Sequence, residues 1–200
     1  MKTMKTFLIT SSLFMIMGMV GCKEEEDPIW ELHPGGKQTV IQNELSGISF
    51  TLYLINEEGK PATVFNEGEN FYFYFSIKNN SGKNYYYNAY ECGYITDFFR
   101  VFSSIGVDYG KSYKVLPMPD LGETGYPFNN GDTYTFKIPW MHSEVALFEG
   151  EDFSYQSVLR DKLKKGTYYT SFKNGSYFVG NDANKNIKND LYFRINFKIQ

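Results

Sequence analysis

The chain is 200 residues long, with 20 basic and 23 acidic side chains and a formal net charge of −3 at pH 7. No basic run or stripe stands out, which argues against a nucleic-acid partner. With 18 Phe, 17 Tyr and few alanines, the composition leans toward strands, because aromatic rings pack well on a pleated surface.

The first elements concern address. Lys2 and Lys5 make a positive start, and Phe7 to Val20 then run apolar for 14 residues, broken only by Thr10, Ser11, Ser12 and Gly18. That length suits the apolar region of an export signal and is too short for a membrane-spanning helix. The run ends at Met19-Val20-Gly21-Cys22, which resembles the lipobox of bacterial lipoproteins. The resemblance implies cleavage after residue 21 and lipidation of Cys22, with 1–21 as the signal peptide. Several acyl chains, at about 0.8 kcal/mol per buried CH₂, hold a protein on a membrane where a single chain is marginal.

Residues 22–45 read as the lipidated cysteine, an acidic tether and an irregular lead-in, joined to the domain near Pro34-Gly35-Gly36. Lys23, Glu24, Glu25, Glu26 and Asp27 cannot bury enough apolar surface to fold. They are similar to the acidic tether after the cysteine in surface-exposed lipoproteins of Bacteroidetes-type bacteria. That similarity implies outer-membrane attachment and exposure at the cell surface. With Cys22 lipidated, Cys92 stands alone, so no internal disulfide is expected and the fold must rest on its core.

Residues 46–200 are predicted to form one all-β domain, an immunoglobulin-like β-sandwich of about seven to nine strands. Four segments alternate with period two. Ile48, Phe50, Leu52 and Leu54 are the first, and Phe71, Phe73, Phe75 and Ile77 the second. Tyr134, Phe136 and Ile138 are the third, and Leu191, Phe193, Ile195, Phe197 and Ile199 the fourth. Further strands are expected around Tyr85–Tyr90, Phe98–Ser103, Tyr113–Leu116, Tyr168–Phe172 and Ser176–Val179. Turn chemistry separates them at Asn56-Glu57-Glu58-Gly59, Asn79-Asn80-Ser81-Gly82, Asn129-Asn130-Gly131-Asp132 and Asn174-Gly175. The last of these is a two-residue hairpin signal. One short helix is predicted over Ser154–Leu163, where Tyr155, Val158, Leu159 and Leu163 fall at roughly helical spacing.

Leu163-Lys164-Lys165-Gly166-Thr167-Tyr168 resembles the leucine, glycine, tyrosine pattern before a late strand of many immunoglobulin-like domains, where the tyrosine hydroxyl ties back to nearby backbone. From Asn66-Glu67-Gly68-Glu69 through Thr167-Tyr168, the strand-and-turn cadence also looks like the BsuPI-type intracellular proteinase inhibitor family. That likeness implies an inhibitory loop, for which Pro117-Met118-Pro119-Asp120-Leu121 and Glu123-Thr124-Gly125-Tyr126-Pro127 are the candidates.

Chemistry-bearing residues are few. His33 and His142 are the only histidines, and no spacing links Cys92, His142 and Asp97 into a triad. Asp182, Asn184 and Asn186 alternate as at the start of a calcium loop, but Ile187 and Phe193 stand where its glycine and glutamate belong. No enzyme activity, cofactor or metal is therefore expected. The tyrosines are the surplus. Tyr72, Tyr74, Tyr85, Tyr86, Tyr87 and Tyr90 are the candidate ligand-binding residues, since an outward tyrosine offers rigid apolar area with a polar tip. Alternation places some of Tyr85–Tyr87 on each face. The expected function is a non-catalytic envelope lipoprotein that binds a glycan or protein, with a proteinase inhibitor or a structural envelope component as alternatives.

Overall fold

The computed structural model describes residues 30–88, 98–115, 126–149, 154–180 and 187–200. Strands account for every regular element there. In chain order they are β1 (Glu31–Leu32), β2 (Ile41–Leu45), β3 (Ile48–Ile55), β4 (Val64–Phe65) and β5 (Tyr72–Asn79). Then follow β6 (Tyr85–Asn88), β7 (Val101–Ser103), β8 (Asp108–Gly110), β9 (Tyr113–Val115) and β10 (Tyr126–Phe128). The last are β11 (Thr133–Pro139), β12 (Leu147–Glu149), β13 (Ser154–Ser157), β14 (Gly166–Gly180) and β15 (Ile187–Ile199).

Two large sheets hold the core. One is antiparallel, with strand order β11-β5-β3-β2. The other runs β1-β15-β14-β6-β10, with β4 also on β15, β7 on β14 and β8 on β7. A third, small sheet is β12-β13-β9. The inward residues of β5 are Phe73, Phe75 and Ile77, all at 0 % exposure, and Phe71 just before it is equally enclosed. Their rings meet those of the opposite sheet: Phe71 lies 5.1 Å from Phe197, and Phe75 lies 6.2 Å from Phe193. Phe50 of β3 also reaches Phe193, at 6.2 Å. The architecture is thus all-β and sandwich-like, with an aromatic core between two sheets. Rings in such offset and edge-on pairs add about 0.5–1.5 kcal/mol each beyond the area they bury.

The four alternating segments of the sequence form β3, β5, β11 and β15, as expected from their pattern. Three other expectations are corrected. The predicted helix over Ser154–Leu163 is absent: residues 154–157 are β13, paired with β12 and β9, and 158–165 are irregular. Backbone partners decide this. The Ala146 amide donates to Ser157 Oγ at 2.7 Å, and the Val158 amide donates to the Ser112 carbonyl at 2.7 Å. A helix of two or three turns has too few internal bonds to compete with those tertiary ones.

Asn174-Gly175 is no hairpin turn either. Both residues lie inside β14, opposite Leu191 and Asp190 of β15. Long β14 serves two partners, β7 along Tyr168–Thr170 and β6 along Tyr177–Gly180, so the glycine falls where one strand passes between neighbours. The third correction concerns the lead-in: β1 and β2 lie within the segment expected to be irregular, and Leu32 and Ile41 are buried in the core. The two-residue hairpin is instead Ser46-Gly47 between β2 and β3, with φ of 54° and 78°. Two successive positive φ values give a turn whose twist matches the strands. A Cβ on Gly47 would stand 2.6 Å from Ser81 Cα, so glycine is required there twice over.

Asn79 ties the ends of the two large sheets together. Its side chain is fully enclosed, and its amide nitrogen donates to the carbonyls of Lys83 (2.8 Å) and Phe128 (2.9 Å). Its amide oxygen accepts from the Ser81 amide and hydroxyl, at 3.0 and 2.6 Å. Leaving such groups without partners in the interior costs about 1–3 kcal/mol each. Asn79→Ala is therefore expected to lower unfolding free energy by about 2–4 kcal/mol, read as an earlier urea midpoint at unchanged slope.

Candidate functional site

The six candidate tyrosines do not form one patch. Tyr85 and Tyr87 are core residues, 5 % and 2 % exposed. They point between the sheets, where Tyr87 stacks on Phe178 at 5.3 Å and lies 5.8 Å from Tyr134. Their role as ligand-binding residues is corrected: they are packing residues. Tyr86 alternates to the opposite side of β6 and is half-buried. Tyr90 lies outside the described residues, as do Cys22, Cys92, Asp97, Asp182, Asn184 and Asn186. Of the candidate inhibitory loops, Tyr126-Pro127 is in β10, and 117–121 and 123–125 lie outside the described residues.

Tyr72 and Tyr74 do face outward, on the sheet β11-β5-β3-β2. Because Phe71, Phe73, Phe75 and Ile77 point inward, the intervening Tyr72, Tyr74, Ser76 and Lys78 must take the other face. Register brings neighbours beside them. Tyr74 is flanked by Tyr53 on β3 and Lys137 on β11, and Ser76 by Thr51 and Thr135. Lys78 is flanked by Ser49 and Thr133. Tyr53 and Tyr74 stack with centroids 4.5 Å apart and planes 28° from parallel. Lys137 Nζ stands 5.1 Å over the Tyr72 ring. Burial, and then the Tyr74 hydroxyl beside it, raise the Tyr53 phenol above its ordinary pKa. It is therefore a neutral hydrogen-bond donor at physiological pH. Sequence reasoning passed over Tyr53, although its odd position in the Ile48–Leu54 alternation already placed it outward.

A second aromatic stripe lies on the eight-stranded sheet, and its rings are stacked and covered in a similar way. Phe102 stacks on Tyr169 at 5.2 Å, and the Arg194 guanidinium covers Tyr169 at 4.0 Å. Arg194 is itself held by Glu31 at 3.4 Å and by Asn196 Oδ1 at 2.9 Å. That stripe is internally satisfied. The lysines of the other face differ. Among the described residues, neither Lys78 nor Lys137 has a carboxylate within ion-pairing distance, and both are exposed.

Titratable groups gather at two other places. His142 is half-buried, and desolvation pushes its imidazole below the ordinary pKa, opposed in part by a hydrogen bond to the Ser112 backbone. A depression of about 430 Å³ between the turns at Asn56–Glu58 and Asn66–Glu69 is lined by Glu57, Glu58, Glu67 and Glu69. Two of these carboxylates hold the turns: Glu69 accepts from the Asn66 amide at 2.8 Å, and Glu57 from the Asn70 amide at 2.9 Å. Among the described residues no group of three or more His, Cys, Asp or Glu is placed to hold a metal ion.

No protein-family model matches the chain, and neither does any curated protein or solved structure.

The division between packing and surface tyrosines is measurable. Tyr87→Ala is expected to cost about 3–5 kcal/mol, as for other large core truncations. Tyr74→Ala removes one half-buried stack on the outer face and is expected to cost about 1 kcal/mol. Urea denaturation of the two variants side by side checks the contrast.

Proposed function

We propose that this protein is a non-catalytic lipoprotein of the bacterial envelope. In this reading it is lipidated at Cys22, held at the outer-membrane surface by its acidic tether, and binds a glycan through its tyrosine-bearing sheet. The observation that carries the binding reading is the outward Tyr53–Tyr74 stack with Tyr72 beside it, on a face that also carries Ser, Thr and Lys side chains. Flat apolar rings ringed by hydroxyls suit the apolar faces and hydroxyl edges of sugars, and tyrosine presents them at low entropy cost. An immunoglobulin-like arrangement is supported by Tyr168, whose hydroxyl donates to the Lys164 carbonyl at 2.7 Å, four residues upstream. That tie is a hallmark of such domains.

The glycan reading is tested by thermal shift against envelope and dietary polysaccharides. A ligand at 100 times its dissociation constant adds about 2.7 kcal/mol, a clear rise in Tm. The expected result is a rise with one or more glycans that is lost in a Tyr53→Ala/Tyr74→Ala double variant which still folds. No rise with any glycan would overturn the reading.

The address has its own test. Cells expressing the full chain and fed a labelled fatty acid are expected to label it, and Cys22→Ala is expected to abolish both label and membrane retention. Retention of the label in Cys22→Ala would reject lipidation at that residue.

A further inference from the structure

Charge on the tyrosine-bearing face is out of step with the rest of the chain. The protein carries more acidic than basic residues, 23 against 20. Yet on three of the four strands of that sheet, β3, β5 and β11, the outward positions read Ser49, Thr51, Tyr53 and Ile55, then Tyr72, Tyr74, Ser76 and Lys78, then Thr133, Thr135, Lys137 and Pro139. They hold two lysines and no carboxylate. The acid of the flanking strand is Glu44 on β2, whose carboxylate accepts from the Ser49 hydroxyl at 2.9 Å.

Position matters as much as sign. Lys137 sits directly beside Tyr74 in the register, and Lys78 lies four residues along β5 on the same face. Strand rise puts that separation at about 13 Å, longer than one sugar ring. A chain lying along β5 would therefore meet rings at one end and a cation at each of two points. Lys78 and Lys137 are exposed and, among the described residues, neither is paired with a carboxylate, although Lys137 also lies over the Tyr72 ring, so both ammonium groups can form charge-assisted hydrogen bonds with a ligand.

From this juxtaposition we infer that the face takes an acidic polysaccharide, one bearing uronic-acid carboxylates: Tyr53 and Tyr74 stack against its rings, and Lys137 and Lys78 pair with successive carboxylates. This rests on the glycan-binding reading above and narrows it to a chemical class. It also accounts for the contrast with the other stripe, where the cation is already neutralised by Glu31.

The experiment uses the full chain and measures binding to polygalacturonate, alginate and hyaluronan, each beside its methyl-esterified counterpart. The acidic polymers are expected to bind and the esterified ones to bind at least tenfold more weakly. Raising salt from 50 to 300 mM is expected to weaken the acidic polymers further, since exposed pairs are screened. Lys137→Met and Lys78→Met keep the apolar stem and are each expected to weaken binding about fivefold, near the upper limit for an exposed ion pair. The melting temperature of Lys78→Met should equal that of the unsubstituted protein, and that of Lys137→Met should fall only slightly, through loss of its contact with the Tyr72 ring. Equal binding of acidic and esterified polymers, or lysine variants that bind as before, would overturn this inference while leaving glycan binding intact. Binding confined to neutral polysaccharides would do the same. Failure of every glycan, acidic or neutral, would remove the underlying reading as well.

Discussion

Everything in this fold depends on the ring-to-ring contact between its two large sheets. Phe71, Phe73 and Phe75 are the centre of it. Phe71 touches Phe65, Trp140 and Phe197, Phe73 stacks on Phe99 at 4.7 Å, and Phe75 meets Phe98 and Phe193. Side chains on a strand alternate strictly, so seating these rings inward leaves Tyr72, Tyr74 and Lys78 no choice but the outer face. The candidate binding surface is in that sense the other side of the core. A register slip of one residue would bury Lys78 and expose the phenylalanines, so the energy that holds the fold also holds the site.

The packing tolerates local cost where it recovers more. Phe99 has φ of 57°, a left-handed conformation that costs a bulky side chain about 1–2 kcal/mol, yet it is fully enclosed against Phe73 and Phe98. The exposed edge of β15 is handled by two short parallel strands, β1 at Arg194–Ile195 and β4 at Lys198–Ile199. Covering an edge in this way removes a template for association with other chains.

Much of this was legible beforehand. The alternations that became β3, β5, β11 and β15 are long, and one wholly apolar face leaves a single solution. Turn chemistry at Asn56–Gly59 was equally clear: the Gly59 amide donates to the Asn56 carbonyl at 2.9 Å, with φ of 80° at the glycine. Illegible were the places where a local signal competes with a distant partner. Asn174-Gly175 has the residues of a turn, but its backbone is claimed by β15. The spacing of Tyr155, Val158, Leu159 and Leu163 suggests a helix, yet Leu159 is 53 % exposed and Ser157 is bonded into a sheet. Short strands such as β1 and β4 carry no periodicity at all, since two residues cannot show one.

The sequence by itself determined the strand class of the domain, the inward set of phenylalanines and the outward direction of Tyr72 and Tyr74, because period and composition are local properties of the chain. Only the tertiary structure decided that Tyr85 and Tyr87 belong to the core and Tyr86 does not. Alternation says that neighbours on a strand face opposite ways, and it is silent on which way is inside. Only the assembled sheets could set Tyr53 beside Tyr74 and Lys137, because cross-strand partners are far apart in the chain and meet through hydrogen-bond register alone.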